Sequence, residues 1–322
     1  MEPQTLPDPL AAEYRALTQN WGWVDVSDRT RIEITGTDRT AFLNGFCTND
    51  IQRLQPGGGC ETFITNVKGR TIGHVFVFCG MRTLLVEGDA GQSAALLAHL
   101  ERYLIREDAE LHDRSETWAE WFVGGREARE GLERVLATTM PVPMLEHDSC
   151  TFQSHTVHVR RVPLAAEGYL VVLPRGEAGP LASRLAAAGA ASCSADALEI
   201  LRVEAGMPRY GVDITDQNLP QEVNRDALAI SFTKGCYLGQ ETVARLDALG
   251  HVNRLLVPVR WQGREVPTSG DQLAVGGQRV GQVTSAVWSP RNGAPLGLAY
   301  VRPPHHEAGT VLESAKGPAT VG

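Results

Sequence analysis

The chain has 322 residues, 43% hydrophobic and 21% charged, with a formal net charge of −8. At roughly 100–200 residues per domain it holds two or three domains with real cores, which excludes disorder. Six cysteines in so long a chain exclude a disulfide scaffold, and the acidic balance excludes a globally basic nucleic-acid binder. Residues 1–20 carry acids and prolines without an apolar centre, so no signal peptide is expected, and no apolar run approaches the roughly 18 residues of a membrane helix. The cysteines show no Cys-x-x-Cys and no histidine partner at zinc spacing; no metal is assigned, and a reducing cytoplasm is the expected compartment.

The expected elements run as follows. Thr30–Thr35 alternates as a strand, with Ile32 and Ile34 on one face. Asp38 then opens a short helix through Ala41, Phe42 and Leu43. Strands follow at 61–65, 72–78 and 83–87, then a helix with Leu96, Leu97, Leu100 and Leu104 on one stripe, and a closing strand at 109–112. This is the split-βαβ or ferredoxin-like pattern. A second lobe repeats it: strand 118–123, helix 126–138, strands 151–162 and 169–173, and a helix over 180–188 ended by Gly189. After a bridging segment, short apolar stretches cut by Gly, Pro and Ser read as a small barrel of five or six strands. The expected domains are 1–115, 116–249 and 250–322.

Only three of the 30 basic residues are lysine: Lys68, Lys234 and Lys316. A retained lysine marks a place where a compact ammonium fits and a guanidinium fork does not. Lys234 lies in Phe232-Thr233-Lys234-Gly235-Cys236-Tyr237-Leu238-Gly239-Gln240-Glu241, just ahead of a helix expected over 240–249. A helix N-terminus and a nearby lysine both favour a thiolate, so Cys236 is either a reactive thiol or a buried structural one. Glu204 falls at the end of a helix that Asp196 can cap, where the macrodipole disfavours an anion. Its partner is either a fork of N–H donors, such as the amidine edge of a pterin, or an arginine among Arg202, Arg209 and Arg225. The turns at 44–50 and 65–70 carry weaker polar signals.

In this order and at these distances, Leu43–Asp50, Val67-Lys68-Gly69-Arg70, Arg202-Val203-Glu204-Ala205-Gly206-Met207-Pro208, Pro220-Gln221-Glu222 and Lys234–Glu241 resemble the YgfZ branch of the folate-binding aminomethyltransferase superfamily. That superfamily also contains the glycine-cleavage T-protein. The resemblance covers about residues 25 to 300. It implies an α+β fold of three lobes, two ferredoxin-like and one a C-terminal β-barrel, arranged as a cloverleaf around a central channel that binds tetrahydrofolate. In the family the chain crosses between the first two lobes. The resemblance also implies a pterin ligand at Glu204, a functional thiol at Cys236 with Lys234 as its neighbouring charge, and cofactor contacts from Arg202, Asn49, Asp50, Lys68, Arg70, Gln240 and Arg245. Branch members support maturation or repair of iron–sulfur enzymes, including those that thiomethylate tRNA, so the implied function is a folate-binding accessory protein with such clients as partners. The rival is an aminomethyltransferase of the glycine-cleavage type.

Two departures bear on that choice. The T-protein's catalytic aspartate follows an Asn-Ala pair; the stretch Val86–Ser93 has no such pair, places Ser93 about where the aspartate would stand, and carries Asp89 in a displaced position. Some branch members line the folate site with tryptophans where this chain has Arg29 and Leu198, and Trp21 and Trp23 are the nearby substitutes.

Overall fold

The computed structural model describes residues 6–164 and 168–322. Helix α1 (Asp8–Thr18) and strand β1 (Gly22–Asp25) precede a first lobe made of β2 (Thr30–Thr35), α2 (Arg39–Asn44), β3 (Gly59–Thr65), β4 (Thr71–Cys79), β5 (Leu84–Gly88), α3 (Ser93–Glu101) and β6 (Glu110–Asp113). Its five strands lie in the order β3-β4-β5-β2-β6, each antiparallel to its neighbours. Ile32 and Ile34 share one pleat face, and Leu96 and Leu100, one turn apart on α3, close over that core.

The second lobe comprises β7 (Trp118–Gly124), α4 (Ala128–Leu136), β8 (His147–Phe152), β9 (His155–Arg161), β10 (Gly168–Pro174), α5 (Ala178–Ala187) and β11 (Ala191–Cys193). Its six-stranded sheet runs β11-β1-β7-β10-β9-β8, with β1 parallel to β11 and antiparallel to β7. Residues 22–25, expected within the first lobe, therefore hydrogen-bond into the second. Trp21 and Trp23 go with them: Trp21 packs over Gly131, and Trp23 lies 4.6 Å from Trp121 between ring centroids. Neither tryptophan lines the two clefts described below. The strand expected over 151–162 is a hairpin instead, because Gln153 and Ser154 both take positive φ (45° and 71°). That is the geometry of a two-residue primed turn, made here without its Asn-Gly signature.

The bridging segment holds α6 (Ala195–Glu204), α7 (Asp226–Ala229) and α8 (Gln240–Leu249), the last matching the expected span. The third lobe is a six-stranded barrel of β12 (Leu255–Trp261), β13 (Gln272–Val275), β14 (Gln278–Ser289), β15 (Ala294–Val301), β16 (Val311–Leu312) and β17 (Ala319–Val321). The order is β13-β14-β15-β12-β17-β16, and a bridge between Ala274 and Glu313 brings the two edges together. The three lobes meet around α6. A core of Val24, Phe76, Phe122, Leu201 and Met207, drawn from the first two sheets, α6 and the turn that follows it, fills their junction.

Candidate functional site

The turns at 44–50, 66–70 and 232–241 converge in space. Lys234 is buried and donates to three carbonyl oxygens, those of Asn44 (2.8 Å), Cys47 (2.6 Å) and Asn49 (2.6 Å). All three N–H bonds of the ammonium are thereby spent. Burial lowers the Lys234 pKa, and Cys47 and Asp50 pull the other way. Expected as the charge beside Cys236, Lys234 is instead a strut that holds residues 44–49. Gly69 and Gly239 meet back to back: a Cβ on Gly239 would lie 2.8 Å from the Gly69 Cα and 2.3 Å from the Asn66 oxygen. Thr65 Oγ1 donates to the Leu238 carbonyl at 2.6 Å.

Around this junction Asn49, Asp50, Arg70 and Gln240, expected as cofactor contacts, are hydrogen-bonded or ion-paired within the protein. Asn49 Nδ2 donates to the carbonyls of Glu61 and Leu228, and its Oδ1 accepts from Asp50 N. Asp50 caps the turn at Ile51–Arg53 and pairs with Arg53. Arg70 donates to the Gln217 carbonyl, and Gln240 Oε1 accepts from Tyr237 N at 3.3 Å. Lys68 and Arg245 are exposed. Cys236 is the one exposed thiol of the six.

Glu204 lies elsewhere. It ends α6, as its position in the sequence requires, and accepts from the hydroxyls of Tyr14 (2.9 Å to Oε2) and Ser289. Burial and the adjacent Glu204 charge raise the Tyr14 pKa. The three arginines weighed as its partners are engaged elsewhere: Arg209 with Glu199, Arg225 with Glu61, and Arg202 with Glu199 and Asp213. Arg202 gives both its remaining donors away as well, to the Met207 carbonyl and to Ser285 Oγ at 2.8 Å. With five N–H bonds committed it has none for a ligand, and it ties α6 to β14 of the barrel.

Two clefts open at α6, with the junction core between them. The first, about 1160 Å³, is lined by Glu204, Tyr14, Trp288, Arg15, Arg126 and Arg291 among others. The second, about 800 Å³, is lined by Arg29, Leu198, Asp89, Ala90, His74, Phe76 and Tyr210 among others. Arg29 and Leu198, the positions of the branch's folate-site tryptophans, thus face one cleft together with Asp89. Asp89 accepts from Arg29 Nη1 (3.3 Å) and Tyr210 N (2.7 Å). Neither lining includes Cys236, Lys234, Asn49, Asp50, Lys68, Arg70, Gln240 or Arg245.

The sequence reading missed Glu61 and His74 as site residues and weighed Arg225 only as a partner of Glu204. His74 Nε2 lies 2.7 Å from Glu61 Oε1, and Arg225 binds the same carboxylate through Nε and Nη2. The available signal was an acid and a histidine inside otherwise apolar strands. Among the described residues no group of three or more His, Cys, Asp or Glu is arranged to hold a metal ion.

Comparison with known proteins agrees with this fold. Residues 2–234 match the GCVT N-terminal domain, and residues 254–319 match the glycine cleavage T-protein C-terminal barrel domain. An aminomethyltransferase of Rubrobacter xylanophilus is 30% identical over 304 residues, 93% of this chain and 81% of that protein. One of Nostoc sp. is 28% identical over 312 residues, 94% of this chain and 83% of that protein. The crystal structure of the glycine cleavage system aminomethyltransferase T from Bartonella henselae superposes with a TM-score of 0.90 at 20% identity, covering 99% of this chain and 90% of that one, and so shares the fold.

Proposed function

The chain belongs to the glycine-cleavage T-protein family, and from that premise we propose that it is a tetrahydrofolate-dependent aminomethyltransferase whose cofactor occupies the second cleft. The family's aminomethyltransferases use tetrahydrofolate, a carrier of one-carbon units on its nitrogens. The observation that carries the reading is the meeting of Arg29, Leu198 and Asp89 in one cleft.

The residues there fit the cofactor. Asp89 uses two of its roughly four lone-pair sites on Arg29 and Tyr210, which leaves room for a fork of pterin N–H donors. Arg29 is buried, with Nη1 on Asp89 and Nε 3.8 Å from Glu120, and so holds Asp89 in place at the cleft wall. Phe76, Leu164, Leu198 and Met207 offer apolar faces to a flat ring, and Arg175 and Arg209 supply cations for the carboxylates of the glutamyl tail.

Anaerobic calorimetric titration of tetrahydrofolate tests this. Asp89→Asn should weaken binding by about 1–3 kcal/mol, the scale of a lost charge-assisted hydrogen bond, while Glu204→Gln leaves it unchanged. The reverse pattern moves the cofactor to the first cleft. Formation of methylene-tetrahydrofolate from an aminomethyl-lipoyl carrier protein then tests the activity.

A second reading, an accessory role for iron–sulfur enzymes, draws on one observation: Cys236 alone among the thiols is exposed, on a turn anchored by Lys234 and the Gly69–Gly239 contact. On that reading Cys236→Ser binds folate but fails to restore a client enzyme in cells lacking the protein; full rescue overturns it.

A further inference from the structure

The β3–β4 register sets Phe63 opposite His74 and Glu61 opposite Phe76, so these four side chains share one face and Glu61 is the diagonal neighbour of His74. The imidazole stacks on Phe63, with centroids 5.1 Å apart and 28° between planes, and lies 6.1 Å from Phe76. Its Nε2 is 2.7 Å from Glu61 Oε1. Arg225 reaches in from the bridging segment and grips the same carboxylate, Nη2 to Oε2 at 2.6 Å. Burial pushes the Glu61 pKa up, but the hydrogen bonds from Arg225 and His74 outweigh it and bring it to about 2.

An ionised acceptor at Nε2 fixes the ring proton there and leaves Nδ1 as the acceptor nitrogen. Arg225 already matches the charge of Glu61, so the pair does not demand a cationic imidazole. On the cleft wall, the other groups that could take a proton are committed: Asp89 to Arg29, and Glu199 to Arg202 and Arg209. Asp25, Asp28 and Glu116 stand exposed at the rim.

We propose that His74 is the general base of the second cleft, with Glu61 as its positioning residue. The assignment rests on the folate reading above. As the bond forms between the attacking folate nitrogen and the methylene carbon of the donor, His74 Nδ1 takes the N–H proton. The bond from that carbon to its leaving heteroatom breaks, the electron pair stays with the heteroatom, and His74 returns the proton to it. The imidazole ends neutral, and no oxidant or reductant is consumed.

Two readouts test this on the full chain. Long-range 1H–15N NMR of histidine-labelled protein, with the His74 signal identified by its loss in His74→Gln, should show the Nε2–H tautomer without any cofactor, and Glu61→Gln should abolish that preference. An Nδ1–H tautomer overturns the proposal. In the methylene-tetrahydrofolate assay, His74→Gln should lower kcat by about 100-fold or more and flatten its pH profile, with tetrahydrofolate Kd held within about twofold. Undiminished kcat in both His74→Gln and His74→Asn overturns the base while the folate reading stands. Absence of tetrahydrofolate binding by the unaltered protein overturns the folate reading, and the base falls with it.

Discussion

Arg31 and Glu120 form an ion pair that water does not reach: Nη1 and Oε2 are 2.8 Å apart, both side chains are fully buried, and they come from the sheets of different lobes. A second buried pair, Arg160 with Glu87, crosses the same junction in the opposite sense, the acid now in the first lobe and the base in the second. Burial raises the Glu120 pKa, and Arg29 and Arg31 oppose it. Two reciprocal pairs of this kind fix how the lobes face each other, since sliding one sheet would strand a buried charge.

Removing one partner should therefore cost much more than removing both. Arg31→Met leaves Glu120 with only the more distant Arg29, 3.8 Å away, and should destabilise the protein by about 3–5 kcal/mol, while Arg31→Met with Glu120→Leu recovers most of that loss. Urea unfolding of the three proteins measures the difference, and equal costs for single and double variants would contradict it.

The glycine contact offers a matched pair of substitutions. Gly239 has φ of +85° and no room for a Cβ, whereas Gly235 has nothing within 4 Å of one. Gly239→Ala should lose about 1–3 kcal/mol or more, and Gly235→Ala should fall within about 0.5 kcal/mol of the parent. Thermal melts of both variants decide this.

Acid stability should report on Glu61. Its folded pKa of about 2 lies below the ordinary 4.5, so its contribution is complete above pH 4.5 and lost as pH falls from there to about 2. The amount is on the order of 3 kcal/mol. Glu61→Gln should have a correspondingly flatter stability profile over that window, measured by urea unfolding at stepped pH.

Thiol labelling separates the cysteines. Cys236 is exposed, while burial pushes the Cys47 thiol up to about 12. A maleimide should modify one residue rapidly in the native protein and none at that rate in Cys236→Ser. Mass spectrometry of the labelled peptides reads the site.

Which features were legible follows from how local they are. Lys234 stood out as a rare lysine, and the reason is physical: three carbonyls around one ammonium suit three tetrahedral donors, and a planar guanidinium cannot point at them all. The barrel strands were legible because short apolar stretches cut by Gly, Pro and Ser are a local signal. Glu204 was recognised as an anion in need of donors, but Tyr14 and Ser289 lie far away in the chain and only the fold brings them there. Arg202 was recognised by its motif and misjudged in role, since Asp213 and Ser285 consume donors that the motif alone leaves open. The His74–Glu61 contact depends on strand register, which alternation does not specify across a hairpin. Likewise, nothing in Gly22–Asp25 says which sheet it will join.

That last strand has a consequence for how the molecule comes into being. The first sheet and the barrel are each assembled from one uninterrupted stretch of chain, but the second sheet needs β1 from near the start and β11 from beyond residue 190. During synthesis the first lobe can close while β1 still waits, unpaired, for partners yet to be made. The second lobe cannot be completed until the first is already enclosed between its own strands. The second lobe cannot then be excised with its sheet whole unless the first goes with it, and the two should unfold together.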